Sequence, residues 1–74
     1  DFPLSVEGVE VAVSLLENGN NTYKISYRSK GKVDVNAVAS SFGGGGHKMA
    51  SGSMLSGFYE DVKDKILREI SFYL

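Results

Sequence analysis

Val9, Val11, Val13 and Leu15 alternate with Glu10, Ala12, Ser14 and Leu16, the period of two that turns one face of a β-strand into a core. Glu17-Asn18-Gly19-Asn20-Asn21 follows. Asn-Gly between two strand-like runs signals a hairpin, because both residues tolerate positive φ. Thr22 to Ser29 predicts a second strand, with Tyr23, Ile25 and Tyr27 on one face and Lys24, Ser26 and Arg28 on the other. Lys30-Gly31-Lys32 ends it, and Asp34 is placed to cap a helix whose apolar face is Val35, Val38, Ala39 and Phe42. Gly43 stands where such a helix commonly terminates in a left-handed residue. Lys48 to Leu55 predicts a third strand, whose small residues Ala50, Ser51 and Gly52 admit a second backbone or a ligand at close range. After a turn at Ser56-Gly57, Tyr59, Val62, Ile66, Ile70 and Tyr73 recur at helical spacing, with Glu60 and Asp61 in the first turn where the helix dipole favours acids. The expected fold is a small α/β (α+β) domain of order β-β-α-β-α, one sheet of about three or more strands with the helices packed on it.

A chain of 74 residues allows one domain and buries only about 60% of its unfolded surface, so its own stability is marginal. It begins Asp1-Phe2-Pro3 with no signal or transit pattern, which reads as a piece excised from a larger protein. No stretch approaches the roughly 20 apolar residues of a membrane-spanning helix. The absence of cysteine removes disulfides and zinc-thiolate sites and is compatible with a cytoplasmic protein. A net charge of -1 gives no global basic field for duplex nucleic acid. Any nucleotide recognition is therefore local, and Lys24, Arg28, Lys30, Lys32 and Lys48 gather in the central half while acids concentrate toward the ends.

Phe42-Gly43-Gly44-Gly45-Gly46-His47-Lys48 is the segment that composition alone does not explain. Four glycines in a row cost roughly 0.5 to 1 kcal/mol each against alanine in a regular element. Two readings are open. The run is a flexible connector, or its N–H groups form a concave nest for phosphate or carboxylate oxygens, with His47 and Lys48 as further donors. It is not a P-loop, since His47 precedes Lys48 and Met49 follows.

The order and spacing of "SYRSKG…VDVNAVASSFGGGGHKMASG" resembles the DHH-associated domain at the C-terminus of DHH-family phosphoesterases. The resemblance points to the nanoRNase/pAp-phosphatase branch of the RecJ-like group, also called exopolyphosphatase-related proteins. It runs from about Gly8 to Leu74 and is carried by the Arg-Ser and Gly-Gly-Gly-Gly-His elements. Ala50-Ser51-Gly52 departs from the two alanines the family often places before that glycine.

The resemblance implies a division of labour. Phosphodiester hydrolysis needs clustered carboxylates and histidines around metal ions, and this chain has one histidine and no ligand-spaced acids. In the family those ligands hold manganese in an N-terminal DHH domain, so this chain carries no catalytic residue and no cofactor of its own. It is then the half that binds short RNA or DNA oligonucleotides or nucleotide phosphates, in a parent that is a hydrolase and is compatible with a homodimer. Arg28 takes a phosphate through two parallel bonds, and Ser29 and Ser26 add neutral donors. Gly43 caps the helix, the N–H groups of Gly44, Gly45 and Gly46 hold a second phosphate or terminal nucleotide, and His47 donates to phosphate or packs on sugar or base. Against this stand a surface Arg28 paired with an acid such as Glu10, an exposed loop His47, and Tyr23, Tyr27, Phe42 and Tyr59 as core rather than base-stacking residues. A cyclic-dinucleotide phosphodiesterase carries the same elements, and the related module of alanyl-tRNA synthetases is a non-enzymatic alternative that contacts tRNA and dimerises. A helix from Val35 to Phe42 spans about 12 Å, which is expected to carry the glycine run away from Arg28.

Overall fold

In the computed structural model, residues 2–6 and 11–73 are described. They form five strands and two helices: β1 (Phe2–Val6), β2 (Val11–Glu17), β3 (Thr22–Ser29), α1 (Val35–Ser40), β4 (Gly45–His47), β5 (Ala50–Ser56) and α2 (Tyr59–Ser71). The sheet is antiparallel throughout, in the order β1-β2-β3-β5-β4. The expected small α/β domain is therefore present with two more strands than the hydrophobic pattern announces. Val9 and Glu10 lie outside the described residues.

The alternation on β2 and β3 is borne out. Val11, Val13 and Leu15 are buried with Tyr23, Ile25 and Tyr27, and Val35, Val38 and Ala39 of α1 and Val62, Ile66 and Ile70 of α2 complete the same core. Phe42 and Tyr59 pack against it. All four aromatic residues considered as base platforms thus serve the core. Both helices cover this one face and leave the other, carrying Lys24 and Arg28, open.

The loop joining β2 to β3 is four residues long. Positive φ falls on Gly19, Asn20 and Asn21, so the asparagines after the Asn-Gly pair share the left-handed conformation. Asp34 caps α1 as expected, its carboxylate accepting from the N–H groups of Asn36 and Ala37 at 3.0 and 3.2 Å. The helix proper ends at Ser40, two residues before Phe42. Gly43 follows at φ +80, the left-handed exit expected of it.

The two unexpected strands have different origins. In β1, Pro3 argues against a central strand but not against an edge, where a missing N–H breaks no ladder. That is where β1 lies, with Pro3 opposite Ser14. In β4, half of the glycine run and His47 pair with Ala50 to Gly52. Lys48 and Met49, expected to open the third strand, instead form the two-residue turn between β4 and β5.

A buried polar pair ties β3 to β5: the Tyr27 hydroxyl and the Ser53 Oγ lie 2.7 Å apart. Burial raises the Tyr27 pKa above 10.0 and outweighs the opposing effect of the Ser53 hydrogen bond. A group whose folded pKa is raised holds its stabilising contribution below the unfolded pKa, and that contribution is lost as pH climbs through the folded value. Tyr27→Phe is expected to cost about 1–2 kcal/mol at pH 7, because the Ser53 hydroxyl loses its buried partner. It should also flatten the loss of stability above pH 10. Urea melts at pH 7 and in the alkaline range check this; an equally steep alkaline decline in both proteins would assign it to other tyrosines.

Candidate functional site

The open face of the sheet is ordered in rows, because residues directly opposite in an antiparallel pair project to the same side. Ala12 pairs with Arg28, Arg28 with Ala50, and Ala50 with His47. The next row is Ser14, Ser26, Gly52 and Gly45, and the one beyond it Leu16, Lys24 and Met54. A basic side chain and the only histidine thus flank an alanine in one row, beside a floor of serines and glycines.

This register corrects the expected separation of Arg28 from the glycine run. Arg28 and His47 are two strand spacings apart, about 9.5 Å, since α1 crosses back over the sheet and returns the chain to the far side of β5. Arg28 and His47 are both exposed. The Arg28 Nη1 donates to the Tyr27 carbonyl at 3.2 Å, and among the described residues no carboxylate pairs with it. The proposed partner Glu10 lies outside them.

Ser26 shares the Arg28 face, whereas Ser29 alternates to the other side. The Ser29 Oγ accepts from the Gly31 N–H at 3.1 Å and shapes the turn after β3. His47 Nδ1 accepts from the Met49 N–H at 3.3 Å. That bond leaves the ring's other nitrogen as its N–H donor.

The glycine run is neither a loose connector nor an open nest. Gly44 N–H donates to the Ala39 carbonyl at 2.9 Å, and Gly46 N–H to Asn36 Oδ1 at 2.9 Å. With Gly46 turned outward to Asn36, the alternation of the ladder points Gly45 N–H at β5. The donors proposed to hold an anion are thus consumed within the fold. What the glycines supply instead is proximity to β5. A Cβ on Gly44 would collide with the Gly52 carbonyl oxygen and stand 2.7 Å from Ser53 Cβ, and one on Gly46 would stand 2.7 Å from Ser51 Cα and 2.8 Å from the Ala50 carbonyl oxygen. Ala50, Ser51 and Gly52 admit a second backbone, as their size suggested, and that backbone is β4.

Three bonds in all lock this hairpin to α1. Val35 N–H donates to the Lys48 carbonyl at 3.0 Å, Ser51 Oγ to the Val35 carbonyl at 2.7 Å, and Asn36 receives Gly46 as described. Asn36 is the positioning residue that sequence reasoning missed. It reads there as an ordinary first-turn polar residue, and only the crossing of α1 over β4 gives it this partner.

The family model of the DHHA1 domain matches residues 1–74. The chain belongs to the DHHA1 domain family. The DHHA1 domain described here is 37% identical over 71 residues to the bifunctional oligoribonuclease and PAP phosphatase NrnA of Thermus thermophilus, covering 89% of this chain and 22% of that protein. It is 39% identical over 51 residues to the NrnA of Mycoplasma pneumoniae, covering 69% of this chain and 15% of that protein. The chain therefore spans less than a quarter of either relative. Among the described residues no group of three or more His, Cys, Asp or Glu could hold a metal ion, and no helix is long and apolar enough to cross a membrane.

Proposed function

We propose that this DHHA1 domain is the substrate-binding half of an oligoribonuclease and pAp phosphatase of the NrnA kind, and that its open sheet face receives the nucleotide. The supporting observation is the alignment of Arg28, Ala50 and His47 across three strands. Arg28 binds a phosphate through its planar guanidinium. The His47 N–H and the Ser26 hydroxyl add neutral donors on the same face, and the bare backbone at Gly45 and Gly52 lets sugar and phosphate sit low on the sheet. Ser29, Gly43, Gly44 and Gly46 act on this reading by shaping the backbone rather than by touching the ligand. The two relatives of that name lend the substrate class.

Hydrolysis belongs on this reading to a DHH domain that holds manganese. Among the described residues none group to fit that ion, so no metal step is assigned to them. The 74-residue chain incubated with short RNA or pAp and manganese is therefore expected to leave both intact while retaining affinity for them. Turnover that rises with the concentration of purified chain, and persists after contaminating nucleases are removed, would overturn the division of labour. Failure to bind either molecule would overturn the role of the sheet face.

A further inference from the structure

β4 is shorter than the strand it covers. Its pairing with β5 ends where Gly45 meets Gly52, whereas β5 continues to Ser56. The direction of the uncovered backbone groups follows from two bonds. Ser29 N–H donates to the Met49 carbonyl at 3.0 Å and Gly57 N–H to the Asn21 carbonyl at 2.7 Å. These fix the odd-numbered residues on this stretch toward β3. By alternation, Ala50, Gly52 and Met54 present their N–H and C=O toward β4. Met54 lies past the end of β4, so no strand pairs with its outer edge.

At that place the structure has an open cleft of about 350 Å³ lined by Lys24, Phe42, Gly43, Gly44, Gly52, Ser53 and Met54. The volume is at the lower end of the roughly 300–1,000 Å³ of small-molecule sites. Its walls are apolar at Phe42 and Met54, and Lys24 supplies one exposed cation that pairs with no carboxylate among the described residues. Gly52 joins it directly to the small-residue row beside Arg28. Lys24 and Arg28 are on one strand and one face, four residues or about 13 Å apart.

We infer that this cleft is a nucleoside subsite for the next nucleotide of an oligonucleotide whose first phosphate lies on Arg28. The Met54 N–H and C=O offer an adjacent donor and acceptor to a base edge, Phe42 and the Met54 side chain form its apolar walls, and Lys24 meets the phosphate on the far side of this nucleotide, two phosphate steps from Arg28. The inference rests on the assignment of the open face to nucleotide binding and adds a length preference to it. A single nucleotide such as pAp held at Arg28 stops short of Lys24, whereas a trinucleotide reaches it.

The test compares a trinucleotide with pAp in the full-length protein that carries this domain. Lys24→Ala changes an exposed side chain, and unchanged thermal stability confirms the fold. It is expected to raise KM for the trinucleotide about tenfold and to leave KM for pAp within about twofold. The trinucleotide, but not pAp, should slow hydrogen exchange of the Met54 amide. Equal effects of Lys24→Ala on both substrates, or none on the trinucleotide, would overturn the subsite. Arg28→Ala is measured beside it. If that variant alters neither substrate while Lys24→Ala is selective, the cleft stands and the Arg28 assignment falls.

Discussion

Gly44→Ala and Gly46→Ala are each expected to lower the melting temperature of the domain by about 10–25 °C, the shift that roughly 3 kcal/mol produces in a chain of this size. At Gly44 the new methyl group would enter the space of the Gly52 carbonyl and the Ser53 backbone. Backbone cannot swing aside as a flexible side chain can. At Gly46 the methyl meets Ser51 Cα and the Ala50 carbonyl, and φ is +152, a conformation that L side chains rarely adopt. Strain of this kind costs about 1–3 kcal/mol before any overpacking. Such losses are a large fraction of the total, because domains of this length hold about 4–11 kcal/mol.

Gly45 behaves differently. Its φ is not positive, and a Cβ there would meet only Asn36 Oδ1 at 3.5 Å, an ordinary contact. No positive-φ penalty applies there, and Gly45→Ala should fold with a melting temperature within a few degrees of the unmodified chain, roughly 0.5 kcal/mol or less. Any loss of nucleotide binding in that variant would report on ligand approach rather than on folding. Thermal melts of the three variants decide the matter. Equal tolerance at all three positions would return the run to the status of a connector.

Arg28→Ala is expected to raise KM for a short oligonucleotide by about one to two orders of magnitude, since a charge-assisted hydrogen bond is worth roughly 1.5–3 kcal/mol. Its melting temperature should hardly move. The side chain is exposed and its one recorded bond is to the neighbouring Tyr27 carbonyl, so removal leaves no buried group without a partner. A lysine at the same place should recover only part of the loss, because a point charge cannot make the two parallel bonds of a guanidinium. Unchanged kinetics in Arg28→Ala would make Arg28 an ordinary surface residue.

The sequence by itself determined which residues lie under the helices and which lie on the open face. Alternation places Tyr23, Ile25 and Tyr27 opposite Ser26 and Arg28, and a strand has only two faces. It also determined the cap at Asp34 and the left-handed exit at Gly43, because both follow from a few neighbouring residues and the local backbone.

Only the tertiary structure decided what the glycines are for. Pairing of Gly45 to His47 with β5, the capture of Gly46 N–H by Asn36 and the collision awaiting a Cβ at Gly44 all depend on where α1 sets the chain down. Glycine carries no side chain whose pattern could announce such a strand. The same crossing brought His47 into line with Arg28, far apart in sequence but set in one row with Ala50 by the strand register. Sheet order is fixed by non-local contacts whose partners no short window of sequence contains, and the candidate site is a property of that order.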